Sequence, residues 1–192
     1  MDKVNLSGRA DASVIRGAGG HEVITLKGRF EAWLLDPDGN ELWRDFIENT
    51  VATIGKNVAL DAFLSGNPYT VVGPYMGLIS STSYSAISAA DTMTSHAGWL
   101  EGGNANAPTY SAPRKTCAWS SASGGSKALS AALSFSMTGS GTVKGCFLVY
   151  GSGAVSTIDN TSGTLLSAGL FSGGDKTVGN GDTLNCSYSL SM

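Results

Sequence analysis

From Glu22 onward the sequence alternates, with Val23, Thr25, Lys27 and Arg29 on one side and Ile24, Leu26, Gly28 and Phe30 on the other, continuing through Ala32 and Leu34. A period of two places successive side chains on opposite faces of a pleated strand, so the run predicts a strand with one apolar face. Asp36-Pro37-Asp38-Gly39-Asn40 interrupts it with turn chemistry: Pro fixes φ, Gly accepts positive φ, and the Asp and Asn side chains cap local amides. Glu41 to Ile47 returns as the partner strand, with Leu42 and Phe46 on one face and Trp43 on the other. The prediction is a β-hairpin. Asp36, Asp38 and Asn40 also stand at the alternate positions of a calcium loop. Counted from Asp36, however, the sixth and twelfth places hold Glu41 and Ile47 where an EF-hand needs Gly and Glu, so the turn reading is preferred.

After Glu48 the period changes. Val51, Ile54, Val58 and Ala62 recur at three- and four-residue spacing beside Leu60, Phe63 and Leu64, and Gly66 stands as a stop, which predicts one short amphipathic helix near residues 55–64. The remainder reads as short strands between Gly/Ser loops: Tyr75 to Ile79, Gly98 to Glu101, Lys115 to Ser120, Leu129 to Met137, Val143 to Tyr150, Thr164 to Leu170 and Thr183 to Leu190. Residues 89–97 suggest a helical turn, and Val143 to Tyr150, apolar on both sides, a central strand. The fold expected is mainly β, an antiparallel β-sandwich of jelly-roll or immunoglobulin-like kind. Ser7 to Gly20 has little apolar content and ends in a Gly run, so residues 1–21 are expected to form an extended N-terminal arm and residues 22–192 a single sandwich domain.

Charge narrows the function. Only 14% of the 192 residues are Asp, Glu, Lys or Arg, against roughly 25% in ordinary domains, so small neutral polar groups must cover much of the surface. The depletion is uneven: residues 1–50 hold 15 of the 27 charges, residues 51–100 three, and residues 101–192 nine. A net charge of −3 argues against a nucleic-acid binder that holds phosphates with a basic face. No run approaches 18 consecutive apolar residues and the N-terminus lacks the apolar core of a signal peptide, so a soluble chain made in the cytoplasm, with no membrane partner, is expected.

Catalytic machinery is sparse. There is no GxSxG, P-loop or HExxH, and Gly17 to Gly20 neither follows a strand nor opens a helix. Cys117, Cys146 and Cys186 show no zinc spacing and read as buried thiols; a nucleophilic cysteine would need His21 or His96 to activate it. His96 near Asp91 in a Ser-rich turn invites a Ser-His-Asp reading, but serines are so frequent that a neighbouring one is expected by chance. Carboxylate pairs for glycoside hydrolysis could come from Glu101 with Asp91, or from Asp159 with Asp175 and Asp182, although Asp175 and Asp182 have a simpler place in β-turns. No catalytic, cofactor or metal residue is assigned, and a non-enzymatic chain is expected.

Three segments resemble a group of small virion structural proteins of tailed bacteriophages. They are Leu26 to Gly66, with its strand, DPDGN turn, strand and helix; Tyr75 to Glu101, with YMGLIS and AADTMTSHAGWLE; and Thr138 to Met192, with TVKGCFLVYGS, GTLLSAGLFSGGDKTV and NGDTLNCSYSL. The resemblance implies a particle component located in the virion and assembled in the host cytoplasm. A Gly/Ser/Thr sandwich with an extended arm suits capsid cement or decoration, whose partners would be the major capsid protein and further copies of this chain as a homo-oligomer. The alternatives are a tail or head fibre subunit and a host-surface carbohydrate-binding module. The last would use Trp99, Trp119, Tyr110 and Tyr84, aromatics that core packing explains more simply.

Overall fold

The computed structural model describes residues 25–64 and 72–192, with residues 63 and 64 described by backbone alone. The expected arm, His21, the first residues of the hairpin strand and the Gly66 stop lie outside the described residues.

The hairpin is formed by β1, Lys27–Leu35, and β2, Glu41–Val51. Phe30, Ala32, Leu34 and Ile47 are buried while Lys27, Arg29 and Glu31 stay exposed, which is the two-residue period seen in the sequence. In the connecting turn, Asp36 Oδ1 accepts the amides of Asp38 at 3.0 Å and Asn40 at 2.8 Å, and Gly39 takes φ +87°. Those bonds hold the Asp36 carboxyl below its ordinary range, first through the Asn40 side-chain amide. β2 continues past Ile47 because Thr50 and Val51 pair with Ala168 and Ser167 of β9, Thr164–Leu170. Residues 48–51, assigned from their spacing to the start of the helical pattern, are therefore strand, and the helix α1 spans Thr53–Leu64. It meets β9 at Gly55, where a Cβ would stand 2.9 Å from the Leu166 carbonyl oxygen, while Ile54 and Leu60 remain exposed.

The other strands are β3 Tyr75–Ser80, β4 Glu101–Gly102, β5 Lys115–Thr116, β6 Ser126–Ala128, β7 Leu133–Ser136, β8 Gly141–Tyr150, β10 Lys176–Val178 and β11 Thr183–Ser191. All named strand pairs are antiparallel, and their order is β4-β3-β8-β9-β2-β1-β11-β6, with β5 also on β3, β10 on β8 and β7 on β11. This continuous path is sandwich-like because β2 belongs to both halves: Glu41 to Asn49 pair with β1, and Thr50 and Val51 with β9. Between the halves lies a core of Phe30, Leu34, Met76, Leu78, Leu148, Leu184 and Tyr188. Each such side chain contributes about 1.5–3 kcal/mol when fully buried.

β10 begins within the segment assigned to a turn: Lys176 already pairs with Val143. Three expected strands are shorter than their patterns. Of Gly98 to Glu101 only Glu101 is extended, opening β4; of the other two, Lys115–Thr116 and Leu133–Ser136 are extended, and Trp119 and Leu129 meet in an isolated bridge. Between them the chain follows the edge of β11, the Leu129 amide donating to the Tyr188 carbonyl at 2.9 Å.

The half built on β8 is buried on both faces, as its unbroken apolar run requires. Its outward side chains Ile79, Phe147, Val149 and Leu165 pack under Met93, Trp99 and Ala154. A third layer of irregular chain, residues 81–100 and 151–163, thus roofs this sheet. Residues 89–97 are not a helical turn but successive bends closed by a Thr92–Ser95 bridge.

Candidate functional site: a locked third layer and a charged strand face

Irregular chain leaves backbone groups without a regular partner, so something must satisfy them where it is buried. Here a buried ion pair does so. Glu101 opens β4, and Arg114 directly precedes β5, both strands pairing with β3. Arg114 Nε donates to Glu101 Oε1 at 2.8 Å and Nη2 to Oε2 at 2.6 Å. The remaining guanidinium donors reach the Val155 carbonyl at 3.2 Å and the Asn160 carbonyl at 2.7 Å. Glu101 Oε2 also accepts the Asp159 amide at 2.8 Å, and the guanidinium lies 5.4 Å from the centre of the Phe147 ring. Burial pushes the Glu101 carboxyl up, against the pull of Arg114 and the Asp159 amide. The pair joins the loop of residues 151–163 to the sheet, and both carboxylate oxygens are engaged and buried.

Trp99 is the second fixture of this layer. Fully buried, it lies 5.2 Å from Phe147, and its Nε1 donates to Asp91 Oδ2 at 3.0 Å. Asp91 Oδ2 also accepts the Ser88 amide at 2.9 Å. His96 stacks on Trp99 at 4.0 Å and its Nδ1 is 3.0 Å from the Trp99 carbonyl oxygen. A Ser-His-Asp relay needs the histidine Nδ1 directed at the carboxylate, so Asp91 and His96, although neighbours, do not form one.

The other candidate residues are dispersed. Asp159 accepts from Asn104 at 3.2 Å, Asp175 pairs with Lys144 at 2.8 Å, and Asp182 caps the Gly179 amide at 2.6 Å. Cys117, Cys146 and Cys186 are free and buried. Among the described residues, no cluster of three or more His, Cys, Asp and Glu could hold a metal ion, and no helix is long and apolar enough to cross a membrane. Of the aromatics considered for sugar stacking, Trp99 and Tyr110 are buried and Trp119 and Tyr84 half-buried; the Tyr84 ring is covered by the Lys144 ammonium at 4.7 Å. Sugar stacking needs an open ring face, which Trp99 and Tyr110 lack.

The most chemically distinct exposed surface is the outer face of the hairpin. Arg44 bridges Glu31 at 2.9 Å and Glu41 at 2.7 Å, and Arg29 approaches Glu48 at 3.6 Å. The same guanidinium groups lie over aromatic rings, Arg44 4.7 Å from Trp33 and Arg29 4.3 Å from Phe46. Phe46 stays 37% exposed and Leu42 54%, so apolar patches sit inside a grid of paired charge. The roof is different. Between Ser81 and Leu100 the only charged side chain is Asp91, and it is spent on Trp99. The sequence offers Glu101 as a strand residue and as a hydrolytic carboxylate and gives Arg114 no role; the available signal is an Arg between Pro113 and Lys115 in a stretch with few charges to pair it. Comparison with protein-family models, with curated proteins and with solved structures finds no match to this chain.

Proposed function

We propose that this chain is a non-enzymatic structural component of a tailed-phage virion, a cement or decoration protein that stabilises contacts between major capsid subunits. The observation that carries the reading is the division of the surface. A face of paired arginine, glutamate and exposed aromatic side chains stands on the strands that directly follow residues 1–24, whereas the roof is nearly uncharged and pinned from within by Arg114 and Trp99. A rigid body with one charged, aromatic face suits attachment to a repeating lattice, where many weak contacts add through multivalency. Arg and aromatic side chains are also those that most often anchor protein interfaces. The segments that resemble virion proteins include this hairpin and the β8–β11 region, so the resemblance and the surface point to the same kind of role.

The test is to quantify the chain against the major capsid protein in purified particles, alongside a deletion of residues 1–20 and the variant Arg44→Glu/Phe46→Glu. Cement requires on the order of hundreds of copies per particle, with both variants folded but less retained on the capsid. A dozen copies or fewer at a tail or fibre position replaces cement with the tail or fibre role, and absence from particles overturns the virion reading.

A further inference from the structure

Cys146 lies on β8 and Cys186 on β11, central strands of the two halves of the sandwich. Their sulfurs meet across the core at 3.8 Å, and both residues are fully buried. Each has a small residue as a strand neighbour, Gly169 beside Cys146 and Ala32 beside Cys186. The neighbour on the other side is a leucine in each case, Leu78 beside Cys146 and Leu133 beside Cys186, so the room beside each sulfur is on the side of the small residue. The third thiol is directed elsewhere: Cys117 Sγ faces the Lys115 carbonyl at 3.9 Å.

We infer that Cys146 and Cys186 are a site of cross-sheet disulfide formation, used when the chain folds in contact with a small-molecule disulfide. From 3.8 Å the sulfurs need roughly 1.8 Å of approach to reach a bond of about 2.05 Å. The reaction is thiol–disulfide exchange. One cysteine thiolate attacks the oxidant's S–S bond, forming a mixed disulfide and releasing one oxidant thiolate. The second cysteine thiolate attacks the protein sulfur of that mixed disulfide, closing Cys146–Cys186 and releasing the second. The two protein thiols give up two protons and two electrons, and the oxidant's disulfide takes them up as two thiols.

Timing follows from burial. In the folded core both sulfurs are fully buried, away from a small-molecule disulfide in solvent, and the Cys186 thiol is pushed up by its contact with Cys146 and by burial, so little thiolate forms. Exchange therefore precedes closure of the two halves. A chain that folds under reducing conditions keeps both thiols and the same core.

The experiment uses the full chain, denatured and reduced, then refolded in buffers of graded glutathione disulfide to glutathione ratio, after which the folded fraction is separated and alkylated with iodoacetamide in guanidinium chloride, so that buried free thiols are reached. Peptide mapping of the folded fraction from oxidising buffer is expected to show one Cys146–Cys186 link with Cys117 alkylated. The same link is expected in Cys117→Ala, which removes the competing pairings. Closing a loop of 40 residues is expected to raise the melting temperature on the order of 10 °C over the reduced form. Three alkylated cysteines in the folded fraction at every ratio, a link through Cys117 in that fraction, or a linked form that melts below the reduced one would overturn the inference.

Discussion

Arg114 and Glu101 form a two-pronged ion pair at 2.8 and 2.6 Å with their side chains 0% and 4% exposed, and through it one loop of the roof, residues 151–163, is tied to the sheet. Because the pair is desolvated, losing one partner is worse than losing both. Arg114→Ala leaves the Glu101 carboxylate and the Val155 and Asn160 carbonyls without donors, and is expected to cost about 3–5 kcal/mol in urea denaturation. Glu101→Leu combined with Arg114→Met replaces both charges with apolar volume and should cost less than Arg114→Ala alone. A double variant less stable than the single one would show that the pair contributes more than the relief of its own burial.

The legible parts of this fold are those with local periodicity. Phe30, Ala32 and Leu34 announced β1, the doubly apolar Val143 to Tyr150 announced the central strand, and Thr164 to Leu170 matches β9 at both ends. What escaped depends on contacts between residues distant in sequence. Val51 fits a helical spacing and a strand equally well; only Ser167 of β9, lying opposite, decides it. β6 is three residues of Ser, Lys and Ala with no pattern of its own, extended because β11 offers it an edge. The same holds for the site. Asp91 and His96 were visible as neighbours, but their use by Trp99 follows from a buried indole N–H that needs an acceptor, which nothing in the string reveals.

Trp99 gives that dependence a direct test. Asp91→Ala removes the acceptor of a buried indole N–H and is expected to cost about 1–3 kcal/mol, while Trp99→Ala empties the space over Phe147 and is expected to cost about 3–5 kcal/mol. Because the roof is a separate layer with its own small core, both variants should become susceptible to proteolysis within residues 81–100 before the two-layer core unfolds. Limited digestion with mass spectrometry of the fragments locates the first cut. A first cut in the β1–β2 hairpin, with residues 81–100 intact, would show that the roof is not the weaker unit.

Asp45, on β2, supplies a pH dependence. Its side chain is 8% exposed, and although burial pushes the carboxyl up, hydrogen bonds from Lys176, Ser172 and the Phe46 and Gly173 amides hold it down to about 2, against an ordinary 3.8. The native state therefore binds this proton less readily than the unfolded chain does. Its stabilising contribution is fully present above about pH 4 and disappears as pH falls through about 2. Partial solvent screening keeps the effect to about 1–2 kcal/mol. Asp45→Asn cannot titrate, so the stability difference between wild type and variant should be constant at neutral pH and shrink steadily below about pH 4. Chemical denaturation of both chains from neutral pH down to the acid limit reads this directly. A difference that stays flat into acid would show that Lys176 and the two amides do not favour the charged carboxylate, and one that widens would reverse the sign of the linkage.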